Sequence, residues 1–542
     1  MDVHRIIGEH KSYRLLALTT DQLVDTLTNA RVLANTSLHR SGYAPTTQDA
    51  LLIQTAANAL PPLVDMVDQE IQKLVDLKSA IQKQEKMHDA LMAPYRRLPR
   101  ELLSMIFVLA LPDGWFQHCI GKRVFNCLSV CAAWRDIALR TPQLWTSVRF
   151  SFKSNPNEDR IRALATELQR SGQLPLDLNI SAARTLRGHD IWSDEAWTLL
   201  CAESYRWQRI SLTDVPVAAY ETLSGRSFPV LQALSICNDV LIADIPLGVF
   251  HLGSNQLSSL CIYSWHHMRQ LQDLTEAWPI TELKLKLETE DSAGLATVVQ
   301  AIVTYSRTLR TCSVGYMSGD VGFRDVPIQF PCLETLVLQD EAAQLCHIMA
   351  CPNLKSLTIN SYTVSSLQFE LAFQSLLDHS SECRHLRSLS LQQLDLIASH
   401  GIGLCLKRIP QLTDLELEND DFGPRRQLIT IDLLWRLSRD FKIFHGSMTF
   451  LPNLERLCLW FGDALEEKDE RAYDVYRQAI EDIVASRGRP RTVRGIRLAP
   501  LESLQVFGAS KLPSFRRDGD TMCFWFGDDA LDSTSTSASE SD

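Results

Sequence analysis

No run of about 18 consecutive apolar residues occurs in the 542-residue chain, so no segment is expected to cross a membrane as a helix. Basic charge is in deficit. Lys and Arg number 54 against 65 Asp and Glu, giving a formal net charge of −11, which argues against a general nucleic-acid binder. Fourteen cysteines are scattered, yet none form a CxxC pair and no His/Cys cluster has zinc-finger spacing. Cys346-His347 with Cys351 is the nearest approach, and it sits inside an apolar pattern, so neither metal nor cofactor is expected. Catalytic signatures are missing too. The chain has no GxSxG, no HExxH, no Walker loop and no GxGxxG after a strand; Gly401-Ile402-Gly403 lacks the third glycine. His266-His267 follows a strand-like stretch and reads as surface. The opening MDVHRIIGEHKSYRLL has no basic region followed by an apolar one. Together these absences predict a non-enzymatic intracellular protein, cytoplasmic or nuclear, with reduced thiols.

What is present is patterned. Residues 1–60 are polar to mildly amphipathic, and Leu23, Val24, Leu27, Val32 and Leu33 suggest one helix in a partly disordered segment. Within 61–94, a long helix is expected over 62–92, where Val64, Val67, Ile71, Leu74, Leu77, Ile81 and Leu91 recur at steps of three and four. That stripe resembles a coiled coil and allows weak self-association.

Residues 95–150 are a compact apolar block. LPRELLSMIFVLAL places Pro99 at a helix start and Pro112 just past its end. Leu103, Ile106, Phe107 and Ala110 make one stripe of that helix, and Leu102, Met105 and Leu109 a second. A short helix with two apolar stripes needs two partners. A second helix is expected in KRVFNCLSVCAAWRDIAL, on Val124, Phe125, Leu128, Cys131, Trp134, Ile137 and Ala138. A third follows with Thr141 as N-cap and Pro142 at its first position. The loop 113–122 between the first two is long and aromatic.

Beyond a linker region at 151–204, one phrase recurs through 205–510: L-x-x-L-x-L. Its copies begin at Leu231, Leu257, Ile280, Leu309, Leu333, Leu354, Leu386, Leu412 and Leu454, with Trp207 as a plausible first. Most intervals fall between 21 and 32 residues, near the period of leucine-rich repeats, with one of 42 at the end. The last two leucines of each copy alternate with polar residues, so a short strand turns one side inward and a stack of such units can bury it. The asparagine expected eight residues after the first leucine is missing. Helical spacing in 293–305 and 369–380 suits the opposite side of each unit, and 469–488 reads as a late helix. Residues 511–542 close with an acidic, serine-rich tail that cannot bury a core, in which Ser539 precedes Glu540 and Asp542.

LPRELLSMIF, VCAAWRDIAL and TPQLW, in that order from Leu98 to Trp145, closely resemble the F-box. The helix before them and the repeats after them also look like many fungal F-box proteins. The resemblance implies a fold of α+β or α/β solenoid type: N-terminal helices, a three-helix F-box, then an irregular leucine-rich-repeat array. It implies that the chain is the substrate receptor of a Skp–cullin–F-box ubiquitin ligase, or else a repeat scaffold that uses its F-box for protein–protein interaction alone. Carried over by motif, Leu98, Pro99, Leu102, Leu103, Ile106, Val130, Cys131, Leu144 and Trp145 should face the Skp-type adaptor and, through it, a cullin–RING ligase; Trp134 should tie the bundle together. In the repeats, the residues alternating with inward leucines should face an unknown protein substrate. Among them are Tyr263, Lys284, Lys286, Gln339, Asn360, Asp414, Glu416, Glu418, Arg456 and Trp460, a row that changes from basic to acidic. No nucleic acid and no membrane is expected as a partner.

Overall fold

The computed structural model describes residues 23–526 except 111–126, 153–157, 185–189, 239–245, 265–270, 272–273, 288–292, 317–325, 362–365, 395–399, 420–427, 440–449, 462–469, 494, 509–511 and 519–520. The loop at 113–122, Val124, Phe125, His266, His267 and the acidic tail lie outside the described residues. The chain forms two compact units, residues 1–103 and 104–542.

In the first unit a helix over 23–33 is followed by a single turn at Thr36–Arg40 and then by a 46-residue helix, Thr47–Met92, called α1 here. A capping box starts it: the Thr46 hydroxyl accepts the Asp49 N–H at 3.3 Å, and the Asp49 carboxylate accepts the Thr46 N–H at 3.2 Å. The helix therefore begins well before the proline at which the sequence placed it. Pro61 and Pro62 lie inside it and remove two amide donors, which frees the carbonyls of Ala57 and Asn58. Both of those residues are exposed, so water can take over the lost bonds. Ala93 takes an extended conformation ahead of Pro94 and ends the helix. No residue of α1 is buried. By length and composition alone it could cross a membrane, which the absence of an unbroken apolar run had excluded.

The second unit is built on a 15-stranded sheet whose order follows the chain from β1 to β15. The strands are β1 Ser147–Ser151, β2 Leu176–Ser181, β3 Trp207–Thr213, β4 Ala233–Asn238, β5 Ser259–Ser264, β6 Glu282–Leu287, β7 Thr311–Tyr316, β8 Thr335–Asp340, β9 Ser356–Asn360, β10 Ser388–Gln392, β11 Asp414–Glu418, β12 Arg456–Trp460, β13 Ser503–Phe507, β14 Pro513–Asp518 and β15 Thr521–Phe526. Neighbours from β1 to β13 pair parallel, and β14 and β15 close the far end antiparallel.

The recurrent phrase dictates this register. Leu283, Cys312, Leu336, Leu357, Leu389, Leu415, Leu457 and Leu504 are successive partners in one row across eight strands. Burial alternates along β9 and β11, so one face is apolar and one polar. The leading residue of every copy, from Leu231 to Leu454, is fully buried where the chain turns into its strand. A further copy, missed in the sequence, begins at the equally buried Leu501 and forms β13. In six of the nine leucine-phrase copies a polar residue sits seven places after the leading residue, as Asn419 does. Asn419 is buried there, accepting the Ile429 N–H at 2.8 Å. Helices Ala293–Thr304, Ser366–His379 and Glu470–Arg487 fall between strands where helical spacing was read, and His400–Lys407 is a further helix that the spacing did not reveal.

Residues 151–204 hold more than a linker. They carry β2 and the helices Glu158–Arg170 and Asp194–Ala202, and with β1 they add two strands ahead of Trp207. Aromatic side chains fill the core here instead of leucines. Phe150, Phe152, Trp192, Trp197, Trp207 and Phe228 contact in series, with ring centroids 4.2–6.2 Å apart. Arg206 is buried beside them and donates to the Leu168 and Leu174 carbonyls, the Ser171 hydroxyl and the Glu203 carboxylate.

Candidate protein-docking surfaces

The first surface lies on the helix Arg100–Leu109, called α2 here. Glu101 in its first turn complements the helix dipole. Leu103 and Phe107, four residues apart, are buried. Leu102, Met105, Ile106 and Leu109 are exposed by 46%, 58%, 45% and 79%. Ile106 therefore belongs with the second stripe, not the first. Four large apolar side chains left in water on one ten-residue helix are an unsatisfied face rather than scattered surface residues.

The second helix of this block is broken. Residues 127–130 are helical, Cys131 is extended, and Ala132–Leu139 resumes. Cys131 caps the new segment weakly, its sulfur accepting the Trp134 N–H at 3.5 Å. The break leaves Val130 half exposed. Trp134 packs on Phe107 at 4.8 Å between centroids, and so ties the bundle together. The third element is a 3-10 turn, Pro142–Trp145. Thr141 is not its side-chain cap: the hydroxyl donates backward to the Ile137 carbonyl at 2.7 Å.

Of the nine residues assigned to the adaptor by motif, six retain surface: Leu98, Pro99, Leu102, Ile106, Val130 and Cys131. Leu103, Leu144 and Trp145 are interior, with 5%, 3% and 7% exposure. Trp145 donates to the Ala138 carbonyl at 2.9 Å and carries the Arg170 guanidinium over its ring at 4.7 Å. Those three hold the bundle together and present almost nothing to a partner. Met105 and Leu109 are the exposed residues missing from the motif-derived set; their place on the second stripe was the signal for them.

The second surface is the polar face of the sheet, where three rows of side chains run across the strands. Lys284 and Glu282 share β6 and pair at 2.7 Å. This hydrogen bond lowers the Glu282 carboxyl and raises the Lys284 ammonium from their ordinary values. Tyr263 stands beside Lys286 in register, and burial pushes its phenol up to about 12. Gln339, Asn360 and Gln392 are consecutive partners, and Asn360 donates to Gln392 at 3.2 Å.

At the late end, Arg456 on β12 donates to Asp414 on β11, and its own proton affinity rises in consequence. Next in the rows stand Glu416 beside Cys458 and Glu418 beside Trp460. Burial, with Glu416 second, pushes the Cys458 thiol up to about 12. Trp460 is 37% exposed and stacks on Phe507 of β13 at 4.0 Å and 17°. Phe507 was not among the residues read from the sequence, because its repeat was not recognised.

The ten expected residues thus share one face but not one patch. Strands β7 to β10 separate the Tyr263/Lys284/Lys286 group from the Asp414/Glu416/Glu418/Arg456/Trp460 group. Pairing also changes the charge reading. Lys284 is matched by Glu282 and Asp414 by Arg456, so counting isolated charges along the rows overstates the contrast between the two ends. Among the described residues no cluster of three His, Cys, Asp or Glu is placed to hold a metal.

No curated protein matches the chain as a whole. Residues 95–151, the block that contains α2, the broken helix and the Pro142–Trp145 turn, match the protein-family model described as F-box-like.

Proposed function

We propose that this chain is the substrate-recognition subunit of a Skp–cullin–F-box-type ubiquitin ligase, with no catalytic residue of its own. The observation that carries the reading is the unsatisfied face of α2 within an F-box-like segment. Leu102, Met105, Ile106 and Leu109, with Leu98, Pro99 and Val130, dock on a Skp-type adaptor. Cullin and RING components join through that adaptor, inside the cell, where thiols stay reduced. The parallel units of the second domain act as a leucine-rich-repeat array whose polar face takes the substrate. Its late end suits a basic segment: Glu416 and Glu418 attract Lys or Arg, and the Trp460–Phe507 pair offers an aromatic face to the same cation. Holding a substrate lysine near a ubiquitin thioester raises its effective concentration, which is catalysis by proximity alone.

Co-purification with a Skp-type adaptor tests the first half. Leu102→Asp with Ile106→Asp should abolish it while the melting temperature stays within a few degrees, since both side chains are already solvated. Binding that survives the double change rules the F-box reading out. Cullin co-purification, together with accumulation of a bound protein when the chain is deleted, tests the second half. Adaptor binding without either result favours the repeat scaffold.

A further inference from the structure

The helix α1 leaves its whole length unburied, and its apolar residues follow a seven-residue rule. Ile53, Leu60, Val67, Leu74 and Ile81 are spaced by seven, and His88 takes the next place. Three residues after each stand Ala56, Leu63, Glu70, Leu77, Gln84 and Leu91. An isolated straight helix packing on a globular core shows a 3.6-residue period. A 3.5-residue period marks the seam of a left-handed supercoil; here the first place of each heptad is apolar from Ile53 to Ile81, and the second alternates leucine with Ala56, Glu70 and Gln84. The seam is open where it is most regular: Val67, Leu74, Ile81 and Leu91 are all more than 40% exposed.

The polar residues within the seam choose the partner and its direction. A parallel second copy in register would set Glu70 against Glu70 and His88 against His88. It would also bring Lys73 and Lys78 of opposite chains together at the flanking positions, a like-charge contact made twice. Reversing one strand changes the ledger. With Leu77 opposite the partner subunit's Ile81, the layers that follow are Leu74 with the partner's Gln84, Glu70 with the partner's His88, and Val67 with the partner's Leu91. Each carboxylate then meets an imidazole, Lys73 faces the partner's Met87, and only Lys78 meets its own copy, at the dyad. The stretch holds no Gly or Pro between Pro62 and Pro94 to interrupt such a seam.

We infer that residues 67–91 of α1 form an antiparallel two-stranded coiled coil with a second copy of this chain, in the register that pairs Glu70 with the partner's His88. The inference is independent of the adaptor and substrate surfaces.

Light scattering on the full chain should give twice the 61.2 kDa of one copy. Leu74→Asp with Ile81→Asp should return it to one copy. Because that variant removes apolar seam residues, the charge test is needed beside it. Glu70→Lys should weaken dimerisation about tenfold, and adding His88→Glu should restore it. Orientation is read by disulfide trapping. The chain has no native cysteine before Cys119. Val67→Cys mixed with Leu91→Cys should cross-link across species. Each variant alone should not link to itself, because the two positions lie about 36 Å apart along the helix. Self-linking of either variant overturns the antiparallel register. A monomeric or higher-order wild type, or its sedimentation with phosphatidylcholine vesicles in place of dimerisation, overturns the proposal.

Discussion

Single side chains separate the two jobs of the F-box-like block. Leu102 and Leu103 are neighbours of the same type, yet one is nearly half exposed and the other is interior. Leu103→Asp should therefore lower stability by several kcal/mol, about the 2–5 of a buried large-to-small change or more, and should be lost to proteolysis. Leu102→Asp should leave the urea midpoint unmoved. Trp145→Ala should cost about 3–5 kcal/mol, because it empties the ring's place under Arg170 and removes the indole hydrogen bond to the Ala138 carbonyl. The thiols sort the same way. Cys332 is exposed, whereas burial pushes Cys312 and Cys458 up to about 12 and Cys383 and Cys405 up to about 11. A thiolate is the species that alkylates. In the folded protein at neutral pH, mass spectrometry after iodoacetamide should find Cys332 modified well before those four.

Elements tell where the sequence was legible and where it was not. Strands β4 to β12 announced themselves because one residue type, leucine, does the same work at the same three places. β3 was legible only as the irregular copy at Trp207, and β1 and β2 were not, although they belong to the same sheet, because Phe and Trp fill that part of the core and break the repeat phrase. β13 was hidden by the long interval before it and by Val506 in the last inward place. At this end the two fully buried arginines, Arg439 and Arg487, replace a corner. Arg487 donates to the carbonyls of Leu437, Leu451 and Phe450, and Arg439 to those of Pro452 and Ala499. Burial lowers both guanidinium pKa values, and a neighbouring cation adds to it: Arg491 for Arg439, and Arg439 for Arg487. Arg487→Met should cost about 3–5 kcal/mol, since it removes three buried hydrogen bonds to carbonyls, of which, among the described residues, only that of Leu451 keeps a backbone donor, the Leu454 N–H; chemical denaturation of the full chain would measure it. The exposed stripe of α2 was half legible. Spacing revealed two stripes, but only packing could say that Ile106 joins the wet one.

At the scale of the molecule, the polar face explains what charge counting cannot. The chain's net charge of −11 is spread, while Glu416 and Glu418 stand on one strand of the polar face, with Glu418 in register with Trp460 of the aromatic pair. Glu416→Lys with Glu418→Lys should weaken capture of an arginine-rich peptide by about tenfold or more, and raising salt should reproduce part of the loss, as fluorescence anisotropy would show. The F-box-like block has a different lesson. Its match runs on through β1, and only Thr146 separates the Pro142–Trp145 turn from that strand. Trp145 is also clasped by Arg170 of the next helix. A join of this kind works as a clamp rather than a tether: the strand that ends the F-box-like block is also the edge strand of the sheet, so the two cannot swing apart without unpairing β1 from β2.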